Sequence, residues 1–434
     1  MATPLFWMLW LIGLLCLGFI FLRGLLRPFE MIGLPFVVAA FSVYFYALMP
    51  FEAAIHLAGF LPPWTLEMGQ TCAVLGIMSL WFGWWLSTRQ FALPDGVVEA
   101  GERDRRALFR VGLVALFVGV LGNWSFDTFN TAGFGESAYW YMLFQVAFPG
   151  GTACIIALVQ DRRLRTPVNY AFVVAPVLYL LLPYLIGARR GPTMAWILTV
   201  VFSAVLGSQR APSRKSVVLG LATAGVVALS VVSMRAFLEK GSSVTDAVAS
   251  LSFEDVAFRK TREVADNEYV YHCALIATTT ETGRYQYGTG HLGILFHWIP
   301  RTLWPDKPVR GGGLFPDARA LMPSVTGISM ARGMAAGSIS DSFVQYGWFF
   351  PLFWIAVGWG AGLVWVRALR PDDWFWKVTL VNVLSCAHWL VAQTVAAFAV
   401  PLLFGQIVPL VGVLYIRHVK AAERSTWRPW LARR

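Results

Sequence analysis

The chain has 434 residues, 57% of them hydrophobic and only 14% charged, with a mean hydropathy of +0.60. A water-soluble chain of this length needs roughly 25% charged residues to cover its surface, so a soluble globular protein is excluded and a polytopic membrane protein is expected. The net charge of +11 is distributed by loop rather than gathered in one patch, which points to membrane topology and away from nucleic acid.

In chain order, apolar windows lie at 4–22, 31–50, 66–87, 107–123, 137–159, 168–187, 192–208, 216–234, 347–366, 376–397 and 399–416. Each is long enough to cross roughly 30 Å of hydrocarbon, some with tilt. They predict an all-α integral membrane protein of about eleven transmembrane helices, the last two divided near Ala399–Pro401. The apolar start is expected to remain as a span, because no small-residue cleavage site follows it and Arg23 and Arg27 close it. Three parts result: helices 1–8 over 1–234, a loop domain over 235–345, and helices 9–11 with a basic tail over 346–434.

Lys and Arg sort by loop. The segments 23–30, 88–110, 160–166, 209–215, 367–377 and 417–434 hold 22 of the 35. The opposite short loops hold Glu52, Glu67, Asp127 and Glu136, and only Arg189 and Arg190 as basic residues. The positive-inside rule then places the amino terminus outside and the carboxyl tail in the cytoplasm. Reporter fusions at 100, 163 and 425 should read cytoplasmic, and fusions at 60, 130 and 260 extracytoplasmic. A cytoplasmic reading at 260 would put every site residue proposed below on the wrong leaflet.

Of the five Cys, four fall in apolar spans and Cys273 in the long polar segment, so no disulfide within that loop is expected. No CxxC pair or His/Cys cluster offers a metal site, and no cofactor is expected. GxSxG, HExxH, Walker and GxGxxG patterns in their proper contexts are missing, so hydrolase and nucleotide-binding readings lack support.

The loop 235–345 is about 110 residues long and carries eleven acidic and eleven basic residues. Loops of such length are usually functional. EDVAFRKTREVADNEYVYHCALIATTT has helical spacing, whereas HLGILFHWIP (291–300) is too short to span and is expected in the interface. Arg189-Arg190-Gly-Pro-Thr joins two spans so tightly that both guanidinium groups stay at the bilayer surface. Pro192 suits the first turn of the next helix, whose unpaired N–H groups and dipole favour an anion there. Arg also matches phosphate oxygens bidentately. The alternative is a plain headgroup anchor. In IPRTLWPDKP (299–308), Pro300 and Pro305 stiffen a turn that presents Arg301, Asp306 and Lys307. Arg310, Arg319 and Arg332 follow. Acid–base candidates are Asp341, His291 and His297, with Glu281, Asp306 and Asp317 beside them. Asp341 lies in GSISDSFVQYGWFF, just before the expected ninth span, where partial shielding would suit a proton acceptor.

IPRTLWPDKP late in the large loop, the Gly-Ser-rich run into SDSFVQYGWFF, and ARRGPT at an outer helix junction together resemble the Wzy-type O-antigen polymerases (oligosaccharide repeat unit polymerases). The likeness covers mainly 185–195 and 285–360, and the family usually has Glu where this chain has Asp341. The resemblance implies a GT-C-type glycosyltransferase of the bacterial inner membrane. Its donor would be a glycan on undecaprenyl diphosphate and its acceptor a lipid-linked repeat unit. It implies Asp341, His291 and His297 near the reacting hydroxyl. Arg189, Arg190, Arg301, Lys307, Arg310 and Arg332 would lie near the diphosphate. Membrane lipids, a chain-length regulator and a flippase are the partners it implies. Trp298, Trp304, Tyr285 and Tyr287 would stack on sugars, although interfacial aromatics are common in any membrane protein. O-antigen ligase, with the same donor and a lipid A core acceptor, is the near alternative. A lipid-linked glycan flippase is the alternative of another class, disfavoured by span interiors nearly free of charge and by the lack of related halves.

Overall fold

The computed structural model of the chain describes residues 2–57, 59–90, 102–131, 143–186, 190–210, 213–216, 220, 267–296, 299, 304, 318–329, 336–370 and 373–418. Every regular element among the described residues is a helix. The first seven spans are α1 (Pro4–Leu26), α2 (Leu34–Leu57), α3 (Pro63–Gln90), α4 (Asp104–Ser125), α5 (Leu143–Gln160), α6 (Pro167–Leu185) and α7 (Gly191–Ser208). Three shorter helices follow: α8 (Glu268–Thr282), α9 (Thr289–Leu295) and α10 (Ala318–Thr326). Next come α11 (Gly337–Tyr346) and α12 (Phe350–Ala368), which together make one apolar stretch. The last spans are α13 (Trp374–Ala392) and α14 (Val395–His418). Ten stretches are thus long and apolar enough to cross a membrane, and the chain is a polytopic helical membrane protein. The further span expected at 216–234 falls, apart from residues 216 and 220, outside the described residues.

Surface chemistry separates rim from centre. In α1, Leu5, Met8, Ile12, Leu15, Phe19, Leu22 and Leu26 face outward, while Gly13, Leu17, Ile20 and Gly24 are buried. A row of large apolar side chains at three- and four-residue spacing fits lipid tails, whereas small residues let neighbouring helices approach. Only 22% of the α1 window is buried, against 67% for α2, 78% for α5 and 83% for α13, so the last three are central. Among the described residues, α3 and α12 share the most extensive helix–helix contact. A Cβ at Gly83 would overlap the Ile355 carbonyl, and one at Gly358 the Leu80 carbonyl, so the two backbones meet without side chains between them.

Three expectations are corrected. First, Asp341 precedes α12 in sequence, as expected, but it lies in a helix of its own, α11, which folds back beside α12. Trp354 Nε1 donates to Ser342 Oγ at 2.8 Å, and the Phe343 and Phe350 rings are 5.9 Å apart. In a straight helix residues 342 and 354 would be roughly 18 Å apart. The reversal happens at Gly347, whose φ of 55° and ψ of −140° suit glycine. Second, the last two spans divide at Gln393–Thr394 and not near Pro401, because Thr394 Oγ1 accepts from Ala397 N and caps the start of α14. Pro401 is carried inside that helix. Third, the described part of the long loop is not a separate body. Asn267 caps α8 through Tyr269 N and Val270 N, and residues 268–279 are all buried, Cys273 included. α8 packs on α3, α10 and α11.

Candidate functional site

α11 is held from two sides. From α8, His272 is 1% exposed; its Nδ1 lies 3.1 Å from the Ala336 carbonyl and its Nε2 3.1 Å from the Gly69 carbonyl. Burial pushes the imidazole down to about 4, against the two carbonyls, which favour a proton. The neutral ring therefore donates to one carbonyl and packs against the other, tying α3 to the residue before α11. The unfolded ring takes its proton near 6.5, so between there and about 4 the unfolded state binds more protons. Stability carried by this group is complete above the upper value and is lost as pH falls through the lower, on the order of 3 kcal/mol in all. Thermal unfolding of wild type and His272→Gln from pH 7 to 4 should show a shallower slope in the variant. Equal slopes would mean that His272 carries none of the dependence.

From the other side, the segment after α8 docks on the end of α11. Gln286 N donates to Val344 O at 2.9 Å, Gly288 N to Gln345 O at 3.1 Å, and Gly290 N to Gln345 Oε1 at 3.0 Å. Gln345 Nε2 donates to Gln286 Oε1. These bonds satisfy loop backbone that would otherwise be stranded among apolar helices. They also seat α9, whose His291 then faces α11. His291 Nε2 lies 3.4 Å from Asp341 Oδ2, and His291 Nδ1 lies 3.0 Å from Tyr346 Oη.

Asp341 Oδ2 has a second donor, Val395 N at 2.9 Å, the first residue of α14. Helix starts leave N–H groups without intrahelical acceptors, and here a carboxylate from another helix takes one. Oδ1 has no partner among the described residues. The His291 and Asp341 side chains are 10% and 18% exposed, so the pair is mostly covered but not sealed.

The break between α13 and α14 also borders the start of α7. The helix entering α7 begins at Arg190, and a Cβ at Gly191 would stand 2.8 Å from Trp389 Nε1. Trp389 O accepts from Gln393 N at 2.9 Å, and Gln393 O accepts from Ser338 Oγ at 3.1 Å. A short path of contacts thus joins the first turn of that helix to α11. Of the residues picked from sequence, Asp341 and His291 come together, and the backbone of Arg190 opens a helix at the same break. The Arg190 side chain, Arg189, Arg301, Lys307, Arg310, Arg332 and His297 lie outside the described residues. Among the aromatics, Trp304 packs edge-on to Phe296 at 5.9 Å, and Tyr285 covers Gly347.

Tyr346, Gln286, Gln345 and His272 escaped the sequence reading. Each works through a partner more than 50 residues away, so spacing gave no signal. Among the described residues no group of three His, Cys, Asp or Glu is placed to hold a metal ion. Comparison with family models, with characterised proteins and with solved structures returns no match.

Proposed function

We propose that the chain polymerises lipid-linked oligosaccharide repeat units. It transfers a glycan from undecaprenyl diphosphate to a lipid-linked acceptor repeat unit at the outer leaflet of a bacterial inner membrane. In this reading the spans form a GT-C-type scaffold, with the amino terminus periplasmic and the carboxyl tail cytoplasmic. The observation that supports it most is the meeting of Asp341 and His291, two acid–base groups fifty residues apart, at the break where α14 begins and the Arg190 helix starts.

The acceptor hydroxyl gives its proton to Asp341 Oδ1 as its oxygen bonds to C1 of the donor sugar. The bond from C1 to the diphosphate oxygen breaks, and its electron pair leaves on the diphosphate. Developing charge there calls for fixed cations, the role given to Arg189, Arg190 and Arg301, with Lys307, Arg310 and Arg332 near them. Membrane lipids surround the spans, and a chain-length regulator and a repeat-unit flippase are the fitting protein partners.

Glycan ladders from membranes with the chain present, deleted and restored test the reading. Deletion should collapse the ladder to single repeat units, and restoration should rebuild it. A ligase would instead leave long glycans on the lipid carrier, and a transporter would leave repeat units on the cytoplasmic face. Either pattern, or an unchanged ladder, would refute the polymerase.

A further inference from the structure

We infer that Tyr346 is a positioning residue for the Asp341–His291 centre, fixing the tautomer and plane of the His291 ring through its hydroxyl. The inference rests on the proposed transfer reaction. It starts from proton counting. A neutral imidazole offers one N–H and one lone pair. Ionised Asp341 only accepts, and its Oδ2 already receives Val395 N. Nε2 facing Oδ2 therefore carries the ring proton, since two lone pairs would repel. That leaves Nδ1 as an acceptor in need of a donor. Tyr346 Oη, 3.0 Å away, is the partner the described residues supply, so the phenol donates to Nδ1.

The ring that carries this hydroxyl is held independently of it. Tyr346 stacks on Phe353 with centroids 5.4 Å apart and planes 25° apart, and the His291 ring lies 5.1 Å from the same Phe353. Gly288 presses on the other edge, where an added Cβ would stand 3.1 Å from Tyr346 Cε1. The order of donors then decides which carboxylate oxygen reacts. Val395 N–H and His291 Nε2–H both occupy Oδ2, and Oδ1 is left for the acceptor hydroxyl. Without the phenol proton on Nδ1 the imidazole can turn or change tautomer, Oδ2 keeps only the Val395 N–H, and the carboxylate is held at one point instead of two.

Because stacking holds the ring, Tyr346→Phe removes one hydroxyl and little else. In membranes supplied with a lipid-linked repeat unit, kcat for extension should fall roughly ten- to a hundred-fold, the rate equivalent of one partly buried hydrogen bond left unmade. KM for the acceptor and the unfolding temperature should stay at wild-type values. In a His291→Gln background the same change should cost less than about two-fold, because the hydroxyl acts only through that ring. An unchanged kcat, an equal loss in both backgrounds, or a fall in unfolding temperature matching the activity loss would each overturn the positioning role. The transferase reading fails separately, if neither Asp341→Asn nor either histidine variant (His291→Ala, His297→Ala) slows chain extension. It survives if Asp341→Asn is inactive while Tyr346→Phe is normal.

Discussion

Asp341→Asn is expected to lower chain extension about a hundred- to ten-thousand-fold, the range a lost general base usually costs. Binding of the lipid-linked donor should persist, because the proposed reading assigns the diphosphate to other residues. The substitution is also structurally mild. An amide oxygen still accepts from Val395 N, so the start of α14 keeps its partner, and the shape of the side chain is unchanged. What disappears is the ability of the second oxygen to take a proton. His291→Ala and His297→Ala are the controls, with extension and donor retention measured together. If Asp341→Asn behaves as wild type while either His variant is inactive, the proton acceptor is that histidine, and the ligase reading gains.

Loss of Arg190 or Arg301 is the second large effect. A charged hydrogen bond that strengthens as the diphosphate leaves is worth on the order of 2–4 kcal/mol, or roughly thirty- to a thousand-fold in rate. Arg190 opens its helix beside Trp389, so its backbone is already at the break that borders Asp341. Arg301 belongs to the sequence IPRTLWPDKP, in which the two prolines Pro300 and Pro305 limit the backbone. Arg190→Ala and Arg301→Ala should nearly abolish extension with normal amounts of protein in the membrane. Lys at either position should restore only part, because an ammonium is a point charge and cannot form the two-pronged contact. A headgroup anchor predicts the reverse: Lys as good as Arg, and Ala lowering abundance rather than rate. Full activity in normally inserted Ala variants would remove the diphosphate role.

The spans were legible because hydrophobic length is a direct consequence of bilayer thickness, and ten of the expected windows correspond to helices. The reversal of α11 was not. GSISDSFVQYGWFF runs without a break into an apolar span, and only Gly347 hints at a turn; the fold-back depends on Trp354 reaching Ser342. The last division was misplaced because Pro401 looked like a boundary, whereas the Thr394 cap sets it. Asp341 and His291 could be picked as types, since acid–base groups are scarce in such a chain. Their meeting was invisible, because it is produced by Gln286, Gly288 and Gly290 docking on α11. α8 was legible as a helix from its spacing, but its burial was not. Its Tyr269 and His272 spend their polar atoms on partners far along the chain, Leu66, Gln70, Gly69 and Ala336.

The most direct test is made with purified protein in proteoliposomes, given one kind of repeat unit on undecaprenyl diphosphate and no other carrier or protein. Products are resolved by length, and released undecaprenyl diphosphate is counted against new glycosidic bonds. Extension by whole repeat units, with one diphosphate carrier released per bond and none from Asp341→Asn, is the predicted result. Repeat units that stay single while the wild-type protein is folded and inserted would contradict it.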